Sequence, residues 1–271
     1  MIRTEFINEK GIRDLNEDAV LFNDEHSTYG VFDGASSLTK YMSNDNKTGG
    51  YIAAHVAAST FNNAKGGLFE IAPAANAAIE QSQIDADVDT STSLNRFGCT
   101  AAVVRIHDDI TELFQCGDSI IIVRYRDGTI EAPLGYNDQD VVAMRLWRRY
   151  VDEGRQNVRE LLQEEIVLGR ERANIDYGTL NGDAKATEHF LTTRIATELI
   201  QDILIISDGM FIPKQDPDAT EKWGDYFAIY DQSGLRGLYD YVRALELSDP
   251  DLTTYPRFKI HDDASAIAIN L

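Results

Sequence analysis

The stretch Ile203-Leu204-Ile205-Ile206-Ser207-Asp208-Gly209 is an uninterrupted apolar run that ends in an Asp-Gly pair. The apolar part predicts a buried strand, because β-branched residues favour strands and no charged residue interrupts them. Aspartate disfavours strands, so its position at the strand exit needs an explanation. One explanation is turn formation, since Asp-Gly is a common turn dipeptide. The other is a functional site, because a rigid scaffold can aim side chains at strand ends into a cleft.

The same arrangement recurs in three other short acidic motifs. Each lies beside a predicted strand: Asn16-Glu17-Asp18-Ala19, Phe32-Asp33-Gly34 and His261-Asp262-Asp263-Ala264. Taken singly, each motif is explained by turn chemistry.

The remaining pattern predicts strand groups separated by helix groups. Alternating or apolar runs predict strands at 2–7, 19–22, 28–32, 129–132 and 264–271, and a three-stranded meander at 99–106, 111–116 and 119–125. Helical spacing predicts helices at 49–61, 68–84 and 235–247, and one or two charged helices within 141–172. Such grouping predicts an α+β fold, with helices packed on antiparallel sheets.

Charge and composition narrow the class of partners. The chain carries 25 basic and 45 acidic residues, a formal net charge of −20, which argues against nucleic acid and membrane surfaces as partners. An acidic protein that acts on phosphate needs bound metal or a placed arginine. The two cysteines, Cys99 and Cys116, lie in apolar stretches, and neither a signal peptide nor a membrane span is apparent. We therefore expect a cytoplasmic protein.

The chain resembles the PP2C-type family of metal-dependent serine/threonine protein phosphatases. Six motifs carry the resemblance in family order: Gly11-Ile12-Arg13 with Glu17-Asp18, Val31-Phe32-Asp33-Gly34, Gly98-Cys99-Thr100-Ala101, Gly117-Asp118-Ser119, Ile205-Ile206-Ser207-Asp208-Gly209-Met210 and Asp262-Asp263-Ala264-Ser265. Each motif is a weak signal alone, but six in order are specific and weaken the turn explanation. The resemblance implies a four-layer αββα sandwich of two antiparallel sheets flanked by helices. It also implies that residues 1–271 form a single phosphatase domain, with a divergent flap or helical insertion at about 134–199.

The resemblance also implies a set of functional residues. Asp33 would bridge two Mg²⁺ or Mn²⁺ ions, hard cations that prefer oxygen ligands. The other expected metal ligands are Glu17 and the Gly34 carbonyl on one ion, Asp208 and Asp262 on the second, and Asp118 on a weaker third. Asp18 would orient metal-bound water, and Arg13 would bind the phosphate. Without the family context, a surface salt bridge from Arg13 to Asp14 or Glu17 is the simpler interpretation.

The implied reaction is hydrolysis of phosphoserine or phosphothreonine in proteins by a water activated between two metals, without a phosphoenzyme. A phosphorylated protein is the expected substrate, and a cognate Ser/Thr kinase a further expected partner.

The match departs from the family at several positions. Ala35 replaces a frequent histidine that is thought to protonate the leaving group, and His261 is better explained as a structural residue than as its substitute. Ile120 replaces a frequent arginine, and Asp263 a frequent asparagine, the latter with a mild expected effect. Two alternatives therefore stay open: a weak or inactive pseudophosphatase that binds a phosphorylated partner, and a phosphatase of small phosphorylated metabolites.

Overall fold

The computed structural model describes residues 2–271, and the ten strands in this range form two antiparallel five-stranded sheets. In spatial order, the first sheet contains β1 (Arg3–Glu9), β10 (Ala264–Asn270), β9 (Ile200–Ile206), β6 (Ile120–Tyr125) and β7 (Ile130–Glu131). The second sheet contains β2 (Ala19–Asn23), β3 (Thr28–Ala35), β4 (Gly98–Ile106), β5 (Ile110–Cys116) and β8 (Leu191–Ala196). The helices are α1 (Gly49–Asn63), α2 (Leu68–Asp85), α3 (Val141–Asp152), α4 (Val158–Leu161), α5 (Gln163–Glu171) and α6 (Trp223–Leu247).

The side-chain alternation of the strands produces four layers. In β9, Ile203 and Ile205 lie in the core between the sheets, whereas Leu204 and Ile206 pack beneath α6. Helices α1 and α2 cover the outer face of the second sheet, with Phe61 fully buried against it. The αββα sandwich implied by the family resemblance is confirmed. None of the helices within residues 2–271 is long and apolar enough to cross a bilayer.

Strand pairing brings distant parts of the chain to one edge of the sandwich. Glu9, at the end of β1, pairs with Ala264, at the start of β10, so the segment after β1 begins beside Asp262 and Asp263. The end of β9 joins the same edge, since the Ser207 amide donates to the Ser265 carbonyl at 2.9 Å.

The predicted meander is wrong in its third strand. Strands β4 and β5 pair as expected, but β6 crosses to the first sheet and pairs with β9 and β7. The crossing follows Gly117, whose φ of 86° suits glycine. Strand β6 is apolar on both faces, with Ile120 beneath α6 and Ile121 between the sheets, which fits a strand covered on both sides.

The other differences lie in polar or broken segments. The range 141–172 holds three helices, with Gly154 (φ 70°) and Asn157 (φ 55°) in left-handed conformation between α3 and α4. Helix α6 starts at Trp223, earlier than predicted, and is interrupted at Gly234 (φ 70°). Edge strand β8 was not predicted, because its Leu-Thr-Thr-Arg-Ile-Ala sequence is largely exposed and has no apolar face.

Candidate active site

The acidic motifs meet where the ends of β3, β9 and β10 face each other across the two sheets. The charges of Asp208, Asp18 and Asp262 raise the pKa of Asp33, and the charge of Asp208 also raises the pKa of Asp118. These five predicted site residues therefore belong to one carboxylate cluster.

Burial and mutual repulsion change the acidity of this cluster. Burial, followed by repulsion from Asp208 and then Asp18, raises the pKa of Asp33 well above its usual range. Burial and the charge of Asp262 raise the pKa of Asp208 to about 6. For Asp18, burial outweighs the opposing effect of the nearby Ser265 and Ser207 hydroxyls and raises the pKa to about 8. Without cations, the cluster therefore resists full ionisation near neutral pH.

Two carboxylate oxygens in the cluster lack a protein partner. Oδ2 of Asp18 accepts a hydrogen bond from the Ser207 hydroxyl at 2.9 Å, but its Oδ1 is buried without a hydrogen bond within residues 2–271. Oδ1 of Asp208 is likewise buried and has no hydrogen-bond partner in the part of the chain that the structure describes. Unpaired buried oxygens are costly, so their presence indicates that another ligand satisfies them.

Glu17 lies buried beside the cluster and contacts Arg13 and Ser36. Its Oε1 accepts a hydrogen bond from the Ser36 hydroxyl at 2.6 Å, and its Oε2 forms an ion pair with Arg13. The Arg13 side chain is 44% exposed, so its guanidinium can also face solvent. The local salt bridge considered from the sequence is thus present. Its acidic partner is Glu17 rather than Asp14.

Backbone packing explains the glycines of the two Asp-Gly pairs. A side chain on Gly34 would collide with the backbone carbonyls of Glu17 and Gly50, and one on Gly209 would collide with Asp263. Glycine lets these segments approach closely enough for Asp33 and Asp208 to share one cleft.

Three residues that sequence reasoning missed hold or neutralise the cluster. Arg243 of α6 is buried, and its Nη2 donates to the Asp262 carbonyl at 2.8 Å and to the Gly209 carbonyl at 3.3 Å. Lys259 places its ammonium 2.5 and 2.6 Å from the two carboxylate oxygens of Asp262. The third, Ser36, lies two residues after Gly34. Only the three-residue spacing of Lys259 from Asp262 offered a sequence signal, and it is a weak one.

The charge of Lys259 is secured by its acidic neighbours. Burial alone would lower the pKa of its ammonium, but attraction by Asp262 and Asp208 outweighs burial and raises that pKa. Lys259 is therefore a cation inside the cluster at neutral pH.

A cavity of about 180 Å³ opens beside Asp118, Asp208 and Asp262. Residues of the segment at 134–199, including Tyr136 and Asp138, form part of its lining. The segment at 134–199 therefore reaches the edge of the carboxylate cluster.

Ala35 stands at the position where the family resemblance implies a histidine. Ala35 ends β3 opposite Gly98. His261, the other candidate from the sequence, lies with its Nδ1 3.0 Å from Oε2 of Glu246, the carboxylate that also pairs with Arg243. This pairing fits the structural role expected for His261.

Comparison with known proteins identifies the class. The family model described as Protein phosphatase 2C matches residues 13–242, so the chain belongs to the protein phosphatase 2C family of phosphoprotein phosphatases. Comparison with curated protein sequences gives no match.

Solved structures share the fold along the whole chain. The serine/threonine phosphatase PstP of Mycobacterium tuberculosis is 19% identical, with a TM-score of 0.60 and coverage of 100% of this chain and 98% of that one. Stp1 of Staphylococcus aureus is 16% identical, with a TM-score of 0.59 and coverage of 100% and 95%. A PstP catalytic domain in complex with two manganese ions is 18% identical, with a TM-score of 0.57 and coverage of 99% and 97%.

The donor set of the cluster fits the divalent ions on which this family depends. It offers carboxylate oxygens, two of them buried and unpaired, which suits Mg²⁺ or Mn²⁺. Within residues 2–271, no three acidic, histidine or cysteine side chains are already arranged as a coordination shell. Binding would therefore require side-chain rotations, among them release of Asp262 from Lys259.

Proposed function

We propose that this chain hydrolyses phosphoserine and phosphothreonine in proteins and depends on two Mg²⁺ or Mn²⁺ ions. The observation that carries the proposal is the cluster that Asp18, Asp33 and Asp208 form with Asp262. Burial and mutual repulsion raise the pKa values of Asp18, Asp33 and Asp208, and two carboxylate oxygens are buried and unpaired. Clustered carboxylates of this kind are stable only when protons or cations offset their repulsion. Of these two, divalent cations would both offset the repulsion and activate water for hydrolysis.

The proposed ligand roles follow the family order. We assign Glu17 and the Gly34 carbonyl to one ion and Asp208 and Asp262 to the other, with Asp33 between them. Asp118 would contribute to a weaker third site at the cavity. Two ions held in this way would supply a water molecule activated for in-line attack on phosphorus.

The chain's own residues would bind and orient the reactants. The Arg13 guanidinium would leave Glu17, once that carboxylate holds an ion, and bind two phosphate oxygens, a geometry that its planar fork suits. Asp18 would accept a hydrogen bond from the attacking water and fix its direction. No side chain forms a bond to phosphorus in this scheme, so no phosphoenzyme is expected.

The wider assignment concerns the whole chain. We propose that residues 1–271 act as one phosphatase domain and that the segment at 134–199 is a flap that influences substrate choice, since it lines the cavity beside the cluster. A phosphorylated protein made by a Ser/Thr kinase is the proposed substrate. The two buried free thiols, Cys99 and Cys116, favour a cytoplasmic location.

The test is hydrolysis of p-nitrophenyl phosphate and of a phosphothreonine peptide, with and without Mn²⁺. Metal-dependent turnover of both substrates is expected for the wild type, and its loss in Asp33→Ala and Asp208→Ala. Asp108→Ala is the matched control, because Asp108 is exposed in the turn at the opposite end of β4. Turnover without metal, or turnover that survives in both cluster variants, would refute the proposal.

Ala35 favours a second candidate, a pseudophosphatase that binds phosphoprotein without turnover. Loss of a general acid costs about 10²–10⁴-fold in rate, enough to make an enzyme inactive in practice. Tight binding of the phosphothreonine peptide by the folded, Mn²⁺-loaded protein, with no hydrolysis of either substrate, would favour this candidate. Turnover of p-nitrophenyl phosphate without turnover of phosphopeptides would instead indicate a small-metabolite substrate.

A further inference from the structure

Among the described residues, Lys259 is the one cation that pairs with the side-chain carboxylate of Asp262, and it contacts both carboxylate oxygens. Its Nζ lies 2.5 Å from Oδ1 and 2.6 Å from Oδ2 of Asp262. The two side chains are 27% and 25% exposed, so water only partly screens the pair. One ammonium thus occupies the carboxylate oxygens that a metal at Asp208 and Asp262 would require.

The segment that carries Lys259 is held firmly by its neighbours. The Asp249 carboxylate accepts hydrogen bonds from the amides of Thr253, Thr254 and Tyr255 at 2.9–3.0 Å. Arg257 joins this anchor, with its Nη1 3.0 Å from Oδ2 of Asp249.

The divergent segment adds a second set of contacts to this loop. The Trp147 indole donates to the Leu252 carbonyl at 2.9 Å, and Arg159 donates to the Phe258 carbonyl at 2.6 Å. The loop before Lys259 is therefore fastened on two sides, which limits the directions that its side chain can take. The fold of this loop therefore places the Lys259 ammonium beside Asp262.

We propose that Lys259 is an internal counter-ion that competes with the divalent metal for Asp262 and so sets the metal affinity of the Asp208–Asp262 site. This inference rests on the proposed function. In the metal-free protein, Lys259 offsets the repulsion between Asp262 and Asp208. Metal binding at this site must break the ion pair first, so its affinity is lower than the carboxylates alone would give, and the released ammonium turns toward the cavity that it lines.

The first test is calorimetric titration of the metal-free protein with Mn²⁺. Lys259→Met and Lys259→Gln should each bind one ion about tenfold more tightly than the wild type, the scale of one lost charged hydrogen bond in a partly exposed site. Both variants should also melt at lower temperature without metal and gain more from Mn²⁺. The glutamine keeps a donor for Asp262, which guards against a folding defect in the methionine variant.

Lys214→Met is the matched control. Lys214 is 23% exposed, lines the same cavity and pairs with Glu221 at 2.8 Å and Asp138 at 3.4 Å. Its loss should leave Mn²⁺ affinity near the wild-type value. An equal gain in Lys214→Met would mean that general charge, not the contact with Asp262, is responsible, and would overturn the inference.

The second test uses the wild type alone. Amine labelling followed by mass spectrometry should show that saturating Mn²⁺ increases the labelling of Lys259 but not that of Lys214. Unchanged labelling of Lys259, or equal Mn²⁺ affinity in wild type and both Lys259 variants, would refute the competition while leaving the proposed function intact. No Mn²⁺ binding by any of these proteins would refute the metal site itself, and the role of Lys259 with it.

Discussion

Asp263 joins the two ends of the chain at the cluster, and replacing it with asparagine should destabilise the protein. Its Oδ1 accepts the Gly11 amide at 2.7 Å, and its Oδ2 accepts the Glu17 amide at 2.8 Å. The carboxylate is buried, and each oxygen has its own backbone donor. Asparagine has one acceptor oxygen, so its NH₂ group must face one of the two amides.

The magnitude follows from these two contacts. A hydrogen bond to a charged group contributes about 1.5–3 kcal/mol, and an unsatisfied buried donor costs about 1–3 kcal/mol. Asp263→Asn keeps one bond in neutral form and loses the other, so the free energy of unfolding should fall by about 2–3 kcal/mol. For a chain of this size that corresponds to a melting temperature lower by roughly 4–5 °C. The family pattern alone, with its frequent asparagine, predicts only a mild effect.

The assay is thermal unfolding of the metal-free protein by circular dichroism, with Asp108→Asn as the control. That substitution removes the same charge from an exposed turn and should change the melting temperature by less than about 2 °C. Mn²⁺ affinity should also fall with Asp263→Asn if the amide that loses its acceptor is that of Glu17. A melting temperature for Asp263→Asn equal to that of the control would refute this account of the two amides.

Three further results are expected. Metal-free protein should lose stability between about pH 5 and 8. The pKa values of folded Asp208 (about 6) and Asp18 (about 8) are raised, so the folded protein holds protons that the unfolded chain releases near pH 4. Melting curves should show a smaller loss of stability in Asp208→Asn and with Mn²⁺, and a melting temperature that rises with pH would contradict this prediction. Ala35→His should raise turnover of a phosphothreonine peptide by roughly tenfold or more but barely alter p-nitrophenyl phosphate, a better leaving group; equal gains on both would exclude general acid catalysis. Arg124→Met should lower the free energy of unfolding by about 3 kcal/mol, because it leaves the buried Asp202 carboxylate, 2.6 Å from Arg124 Nε, without its cation. This pair lies at the strand ends opposite the cluster, so kcat should stay unchanged. A denaturant titration measures the loss, and an unchanged midpoint would contradict the prediction.

The sequence was informative where local chemistry and position coincide. A buried apolar run followed by Asp-Gly predicts a strand, and strands β9 and β3 are confirmed, although β3 continues through Asp33 and Gly34 to Ala35. The sequence did not predict to which sheet each strand belongs. Strand β6 follows β5 after a connection of three residues, as a meander strand would. It nevertheless crosses to the other sheet, because both of its faces are apolar and both are covered there.

The groups that tune the cluster were beyond sequence reasoning, because they depend on contacts between distant segments. Lys259 is three residues from Asp262, but no helix brings the pair together. The loop that carries Lys259 is held through Asp249 and by contacts from Trp147 and Arg159 of the segment at 134–199. If Lys259 acts as we propose, the flap region would influence the cluster by fixing the loop that carries its competing cation, in addition to any contact with substrate.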